Sequence, residues 1–75
     1  MNKLRRTKLK TWKIKVESLK DELDEILSEE QDAFDNMPEG LQCSARGEAS
    51  EEAIGQMEEA ADALDAAISA IEDII

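Results

Sequence analysis

Two runs of apolar residues, spaced alternately three and four positions apart, most constrain how this chain of 75 residues can fold. Strands place alternate residues on one face, so this rhythm argues against strands and predicts two helices with narrow apolar stripes. It is the rhythm of a coiled coil, in which the stripe packs against a partner helix. The predicted interface residues are Leu9, Trp12, Val16, Leu19, Leu23, Ile26, Ile54, Met57, Ala61, Leu64, Ile68 and Ile71.

The segment between the two runs is expected to interrupt both helices. Pro38 lacks a backbone donor and Gly40 is the most permissive residue, so a helix should end before them. Either Ser44 or Ser50 can cap the second helix. The predicted turn residues are Asn36, Pro38, Gly40, Ser44 and Arg46. We divide the single domain into a basic arm, a first helix, a turn and a second helix, at residues 1–6, 7–35, 36–49 and 50–75.

The two predicted helices have similar lengths and a short connection, which favours antiparallel neighbours. The predicted fold is therefore all-α, an antiparallel two-helix coiled-coil hairpin. A chain this short buries little surface, and its second helix is also apolar beside the stripe, so we expect a homodimer that forms a four-helix bundle. The alternative explanation of these residues is that Ala is the best helix former. The predicted oligomer face is Ala53, Ala60, Ala63, Ala67, Ala70 and Ile74.

Charge is distributed very unevenly along the chain. Residues 1–20 carry eight bases and one acid, a net charge of +7, whereas residues 21–75 carry one base and eighteen acids, a net charge of −17. In an antiparallel hairpin the basic start of the first helix lies beside the acidic end of the second. The asymmetry therefore favours this orientation, although each exposed ion pair stabilises by only about 0–1 kcal/mol.

The chain has no His and a single Cys, Cys43. It therefore lacks the residues for an internal disulfide, a His/Cys metal site or the common nucleophile–base pairs. We expect no catalytic residue, no metal ligand and no cofactor, and we predict that the chain is not an enzyme. A free thiol favours a reducing compartment, the cytoplasm. No apolar run approaches the roughly 20 residues that a membrane span needs, so no span is expected.

The stretch "NMPEGLQCSARGE" at residues 36–48 has a distinctive pattern, Asn-(Met/Leu/Ile)-Pro-Glu followed by Leu-Gln-x-Ser-x-Arg-Gly-Glu. With its acidic flanks, over about residues 29–72, it resembles a group of small proteins from phages and prophages of Firmicutes. The resemblance implies a helical hairpin of bacterial or mobile-element origin, and it implies no activity. Gly40 and Cys43 stand where the group would have more polar residues, and the basic N-terminal arm lies outside the match.

Three functional hypotheses follow. The first is protein–protein association, by self-assembly or as an adaptor for an unidentified protein partner, because two heptad runs are typical of helices that bind helices. The second is an acidic mimic of nucleic acid that inhibits a DNA-binding protein of the host. The third is a less favoured nucleic-acid contact, with Lys3, Arg5 and Arg6 binding phosphates. Arg46 is expected to pair with one of the acids Glu30, Asp32, Glu39 and Glu48.

Overall fold

The computed structural model describes residues 1–75 and contains three helices and no strand. They are α1 (Lys3–Asp35), α2 (Glu39–Gln42) and α3 (Ala45–Glu72). The molecule is a rod of 58 × 15 × 12 Å in which α1 and α3 pack along each other. The prediction of an all-α protein with two long packed helices is confirmed.

The two long helices run in opposite directions, as three side-chain contacts show. Glu30 of α1 contacts Ser50 near the start of α3, and Lys20 contacts Asp65. Lys13, nearest to the start of α1, contacts Glu72 at the end of α3. Positions earlier in α1 therefore lie beside positions later in α3.

The helix α1 begins four residues before the predicted start at Thr7. Asn2 caps it, because its side-chain oxygen accepts a hydrogen bond of 2.8 Å from the Arg5 N–H. Asn is among the best N-cap residues, since it satisfies a donor that has no partner within the helix. Lys3, Arg5 and Arg6 therefore belong to the first turns of α1 and do not form a separate arm.

In the connection between α1 and α3, the last carbonyls of α1 accept hydrogen bonds from backbone N–H groups and from the side chain of Gln42. Asn36 N–H donates to the Asp32 carbonyl at 3.0 Å. Gln42 Nε2 donates at 3.1 Å to the Phe34 carbonyl, which also accepts from the Met37 N–H at 3.1 Å, so the side chain of Gln42 ties the turn to the end of α1. Pro38 precedes the single turn of α2, where its missing N–H costs no hydrogen bond.

The helix α3 begins at Ala45, five residues before the predicted boundary at residue 50. Ser44 occupies the N-cap position in extended backbone, and its hydroxyl donates to the Leu41 carbonyl instead of capping α3. Gly47 is buried where the first turn of α3 lies against α2, and a Cβ there would overlap the Gln42 carbonyl. The absence of a side chain at Gly47 therefore allows this tight turn.

The core between the helices is thin. Only five of 75 residues are buried, namely Val16, Gly47, Ser50, Ile54 and Ala61. None of the large side chains is fully buried, because each long helix has only one other long helix beside it. No helix in the chain is both long enough and apolar enough to cross a membrane.

Candidate association surface

The stripe of α3 faces α1 where the sequence places it. Ile54 and Ala61 are buried, and Met57, Leu64, Ile68 and Ile71 are half-buried. The same spacing continues backwards to Ser50 and Gly47, which are buried as well. All these residues share one narrow face because their separations alternate between three and four.

The stripe of α1 differs from the prediction at every second position. Leu9, Val16 and Leu23 lie at the interface, since Val16 is buried and the other two are half-buried. The predicted interface residues between and after them are exposed, with exposed fractions of 43% for Trp12, 57% for Leu19 and 54% for Ile26. The half-buried residues at the next position along are Lys13, Lys20, Leu27 and Phe34.

This different rotation of α1 has a physical reason. The predicted and the observed rotation of α1 both keep Leu9, Val16 and Leu23 at the interface. These three residues therefore do not distinguish between the two rotations. The observed rotation adds Leu27 and Phe34 near the turn. It also brings the long side chains of Lys13 and Lys20 across to carboxylates of α3, while their aliphatic stems cover the interface.

One edge of the helix pair, which we call the charged edge, consists of Lys13, Glu17, Lys20, Asp24, Asp65 and Glu72. Lys13 Nζ lies 3.0 Å from Glu72 Oε1 and 3.6 Å from Glu17 Oε1. Lys20 Nζ lies 3.0 Å from Asp65 Oδ1 and 3.7 Å from Asp24 Oδ2. The hydrogen bond to Glu72 raises the pKa of Lys13, and the hydrogen bond to Asp65 raises the pKa of Lys20. These contacts form only in the observed rotation of α1, and exposed ion pairs of this kind each contribute little to stability.

The opposite edge is apolar along both helices, and we call it the apolar edge. Each α1 residue of this edge directly precedes a half-buried residue. Successive residues of a helix are about 100° apart around its axis, so the side chains of the apolar edge lie on the side away from the charged edge. Trp12 and Ile71 line one surface groove together with Leu9 and Lys8, so this edge also joins the two helices. The apolar edge consists of Trp12, Leu19, Ile26, Ala33, Ala53, Ala60, Ala67 and Ile74.

The predicted oligomer face of α3 lies on and beside the apolar edge. Ala60, Ala63, Ala70 and Ile74 are exposed, and Ile74 is 43% exposed. Ala53 and Ala67 are half-buried, because their positions adjoin the interface with α1. Heptad spacing does not predict the α1 half of this edge, because the same spacing places those residues at the interface with α3.

Near the turn, Glu30 of α1 contacts Ser50 of α3. The Ser50 hydroxyl donates to Glu30 Oε1 at 2.6 Å, which gives a buried hydroxyl a charged acceptor. Arg46 forms no ion pair, so the expectation that it pairs with Glu30, Asp32, Glu39 or Glu48 is wrong. Gly40, Cys43 and Arg46 are exposed.

The cations at the start of α1 are exposed and carry no ion pair. This holds for Lys3, Arg5 and Arg6, since only Lys13 and Lys20 lie within ion-pair distance of an acid. These three cations are therefore available to solvent and to ligands.

No cluster of three or more His, Cys, Asp or Glu side chains is arranged to hold a metal ion. Every side-chain oxygen and nitrogen atom that is buried has a hydrogen-bond partner. The most distinctive surface feature that remains is the apolar edge.

No family model matches the chain, and no curated protein or solved structure is significantly similar to it. The resemblance of residues 29–72 to phage and prophage proteins therefore stays a prediction.

Proposed function

We propose that this chain is a non-enzymatic helical protein that acts through protein–protein association at its apolar edge. The pair of long helices is a coiled-coil hairpin, and two such hairpins form a homodimeric four-helix bundle. The observation that carries the proposal is the row of Trp12, Leu19 and Ile26, three large apolar side chains that stay half exposed on one line of α1.

The thin core supports association. Full burial of a large apolar side chain contributes about 1.5–3 kcal/mol, and roughly half of that is unrealised while Leu19 and Ile26 stay half exposed. A second hairpin on the apolar edge would cover both residues and the alanines of α3. Four helices around one core also give each apolar stripe more than one neighbour.

Sedimentation equilibrium on wild type and two variants tests the proposal. Leu19→Glu places a charge in the middle of the apolar edge, so we expect a monomer where the wild type is a dimer. Ile14→Glu is the matched control, because Ile14 is 68% exposed and lies off the apolar edge, beside Lys10 and Glu17. A dimer that persists in Leu19→Glu, or that is lost equally in Ile14→Glu, would contradict the proposal.

The unpaired cations of the first turns support a second candidate function, contact with nucleic-acid phosphates. Lys3, Arg5 and Arg6 are exposed on a helix, and a helix of this kind can bind a phosphate backbone without reading sequence. Replacing all three by Gln should abolish any binding of a short DNA duplex measured by fluorescence anisotropy. The same replacement of Lys10, Lys15 and Arg46 is the control for loss of net charge.

A further inference from the structure

We propose that the partner on the apolar edge is a second copy of this chain whose α1 lies antiparallel to the first. The two-fold axis is perpendicular to the helices and passes next to Leu19 of α1 and Ala67 of α3. This inference rests on the proposed function, to which it adds the partner and its alignment. Three observations on different parts of the molecule lead to the same axis.

The first observation is a row of four exposed charges on α1. Lys8 and Lys15 lie beside Trp12, since these residues line one surface groove. Glu22 and Glu29 continue the row at the same spacing of seven, and all four side chains are exposed. The row runs next to the apolar edge and changes sign at its middle, between Ser18 and Leu19.

A row that changes sign at its middle is complementary to itself when two copies run in opposite directions. Lys15 then lies opposite the partner's Glu22, and Lys8 lies opposite the partner's Glu29. Symmetry repeats both contacts, which gives four ion pairs on the two sides of the axis. The helix α1 runs from Lys3 to Asp35, so Leu19 is also its midpoint and the two copies of α1 overlap over their full length.

The second observation is the matching row of α3. Ala63 and Ala70 are exposed beside the apolar edge, and their midpoint lies between Ala66 and Ala67. In an antiparallel pair of α3 helices, Ala63 lies opposite the partner's Ala70. Small residues at these facing positions let the two backbones approach closely, so no side chain obstructs the contact.

The third observation is the alignment of α1 with α3 inside one copy. Lys13 contacts Glu72 and Lys20 contacts Asp65, so seven residues forward along α1 correspond to seven residues back along α3. By the correspondence of these two contacts, which flank the middle of the charge row most closely, that middle is level with the middle of the alanine row on α3; the contact of Glu30 with Ser50, nearer the turn, shifts the alignment by about five residues. One axis therefore serves both helices.

Charge distinguishes this arrangement from a bundle whose two-fold axis runs along the helices. In that bundle α1 faces the partner's α3, with Lys15 beside the partner's Ala70 and Glu22 beside the partner's Ala63. The four charges of each row then find no opposite charge. Complementary charges select orientation and alignment more than they add affinity, so the antiparallel arrangement of α1 is the favoured one.

Two charge-reversed variants test the axis by sedimentation equilibrium at low salt. The acidic-row variant is Lys8→Glu with Lys15→Glu, and the basic-row variant is Glu22→Lys with Glu29→Lys. Each alone faces like charges at all four contacts, so we expect its dimer dissociation constant to rise about tenfold or more. A one-to-one mixture of the two variants should form a heterodimer about as tight as the wild-type homodimer.

The basic-row variant distinguishes the effect of the proposed contacts on dimerisation from the effect of net charge. It lowers the negative net charge of the chain, so repulsion between whole molecules would make its dimer tighter, whereas the proposed contacts make it weaker. Its matched control is Glu51→Lys with Glu58→Lys, which makes the same charge change at the same spacing on α3, at exposed positions that continue to Asp65 and Glu72 of the charged edge and so lie away from the row. The control should dimerise at least as tightly as the wild type.

The outcomes separate this inference from the proposed function. A monomeric wild type overturns both. A wild-type dimer whose basic-row variant dimerises as tightly as its control overturns the antiparallel axis and leaves the proposed association standing. A weakened basic-row variant that the acidic-row variant fails to rescue also overturns the axis.

Disulfide trapping provides an independent readout in a Cys43→Ser background. The double variant Lys15→Cys with Glu22→Cys places each thiol opposite one of the partner, so mild oxidation should give a covalent dimer. Two thiols seven residues apart on one helix are about 10 Å apart, too far to bond within a chain. Lys15→Cys alone should stay unlinked, and an unlinked double variant of a dimeric chain would contradict the axis.

Discussion

The two edges of the helix pair are formed by the same heptads, but the charges of one edge have partners within the chain, whereas the large apolar side chains of the other remain half exposed. At the charged edge, Lys13 and Lys20 reach across to acids of α3, and these four charges have partners within the chain. At the apolar edge, Trp12 and Leu19 directly precede these two lysines in the sequence and stay half exposed. The rotation of α1 that forms the ion pairs on one edge is therefore the rotation that presents these apolar residues to solvent on the other.

This difference separates two roles that an apolar stripe can serve. Buried residues that lie between the two edges, such as Val16 and Ile54, hold the two helices together. Residues on the apolar edge contribute little to that contact and are available for a partner. An apolar residue at heptad spacing therefore indicates a helix contact without indicating whether the contact lies within the chain.

The largest expected effect comes from disrupting the buried interface between α1 and α3, which lies between the two edges. Val16 is 7% exposed at the centre of the interface, so Val16→Asp buries a charge that has no partner. We expect a loss of more than about 3 kcal/mol, enough to abolish the cooperative melt followed by circular dichroism. Ser18→Asp, on the exposed side of α1, should melt like the wild type. A folded Val16→Asp would contradict the interface itself.

The next largest effect concerns the turn that keeps the two edges aligned. Gly47→Ala forces a Cβ into the Gln42 carbonyl, so we expect a loss of about 2–4 kcal/mol in the free energy of unfolding. Gly40→Ala is the matched control, since a Cβ at Gly40 meets nothing within 4 Å. That substitution should be neutral or slightly stabilising, because Ala restricts the unfolded chain. Equal losses in urea melts of both variants would show that α2 does not pack tightly on α3.

A smaller effect should be visible at the apolar edge in the fluorescence of the single tryptophan. Trp12 is 43% exposed in the isolated helix pair, and a partner on the apolar edge would cover it. We expect its emission to shift by a few nanometres towards the blue as protein concentration rises through the dimer dissociation constant. Leu19→Glu should remove the shift. Emission that is independent of concentration in a sedimenting dimer would place the contact elsewhere.

The sequence predicts more of α3 than of α1, and the difference has a physical cause. In α3 every apolar residue at heptad spacing has Ala or an acid beside it, so only one rotation buries the large side chains. In α1, Leu9, Val16 and Leu23 lie at the interface in both rotations, and the residues three and four positions after each of them compete for the next interface position. Ile26 competes with Leu27, and Ala33 competes with Phe34. Apolar periodicity alone does not decide between them.

The deciding contacts join residues that are far apart in sequence. Lys13 and Lys20 are seven residues apart, as are Asp65 and Glu72, and this shared spacing was the signal available in the sequence. Using it requires the alignment of α1 with α3, which depends on where the turn ends. The predicted turn extends to residue 49, whereas Ser44, one of the two predicted caps, directly precedes α3. The predicted rotation of α1 rests on apolar spacing alone, which does not include these contacts.

The smallest effect belongs to the charged edge and appears at high pH. The pKa values of Lys13 and Lys20 are raised by their hydrogen bonds to Glu72 and Asp65. A lysine whose pKa is higher in the folded state adds stability below its ordinary pKa of about 10.4, and that stability is lost as pH rises through the folded value. The melting temperature of the wild type should therefore fall more steeply above about pH 10 than that of Lys13→Met with Lys20→Met. Both side chains are partly exposed, so the difference should shrink in high salt, and identical slopes for the two proteins would show that these ion pairs do not stabilise the helix pair.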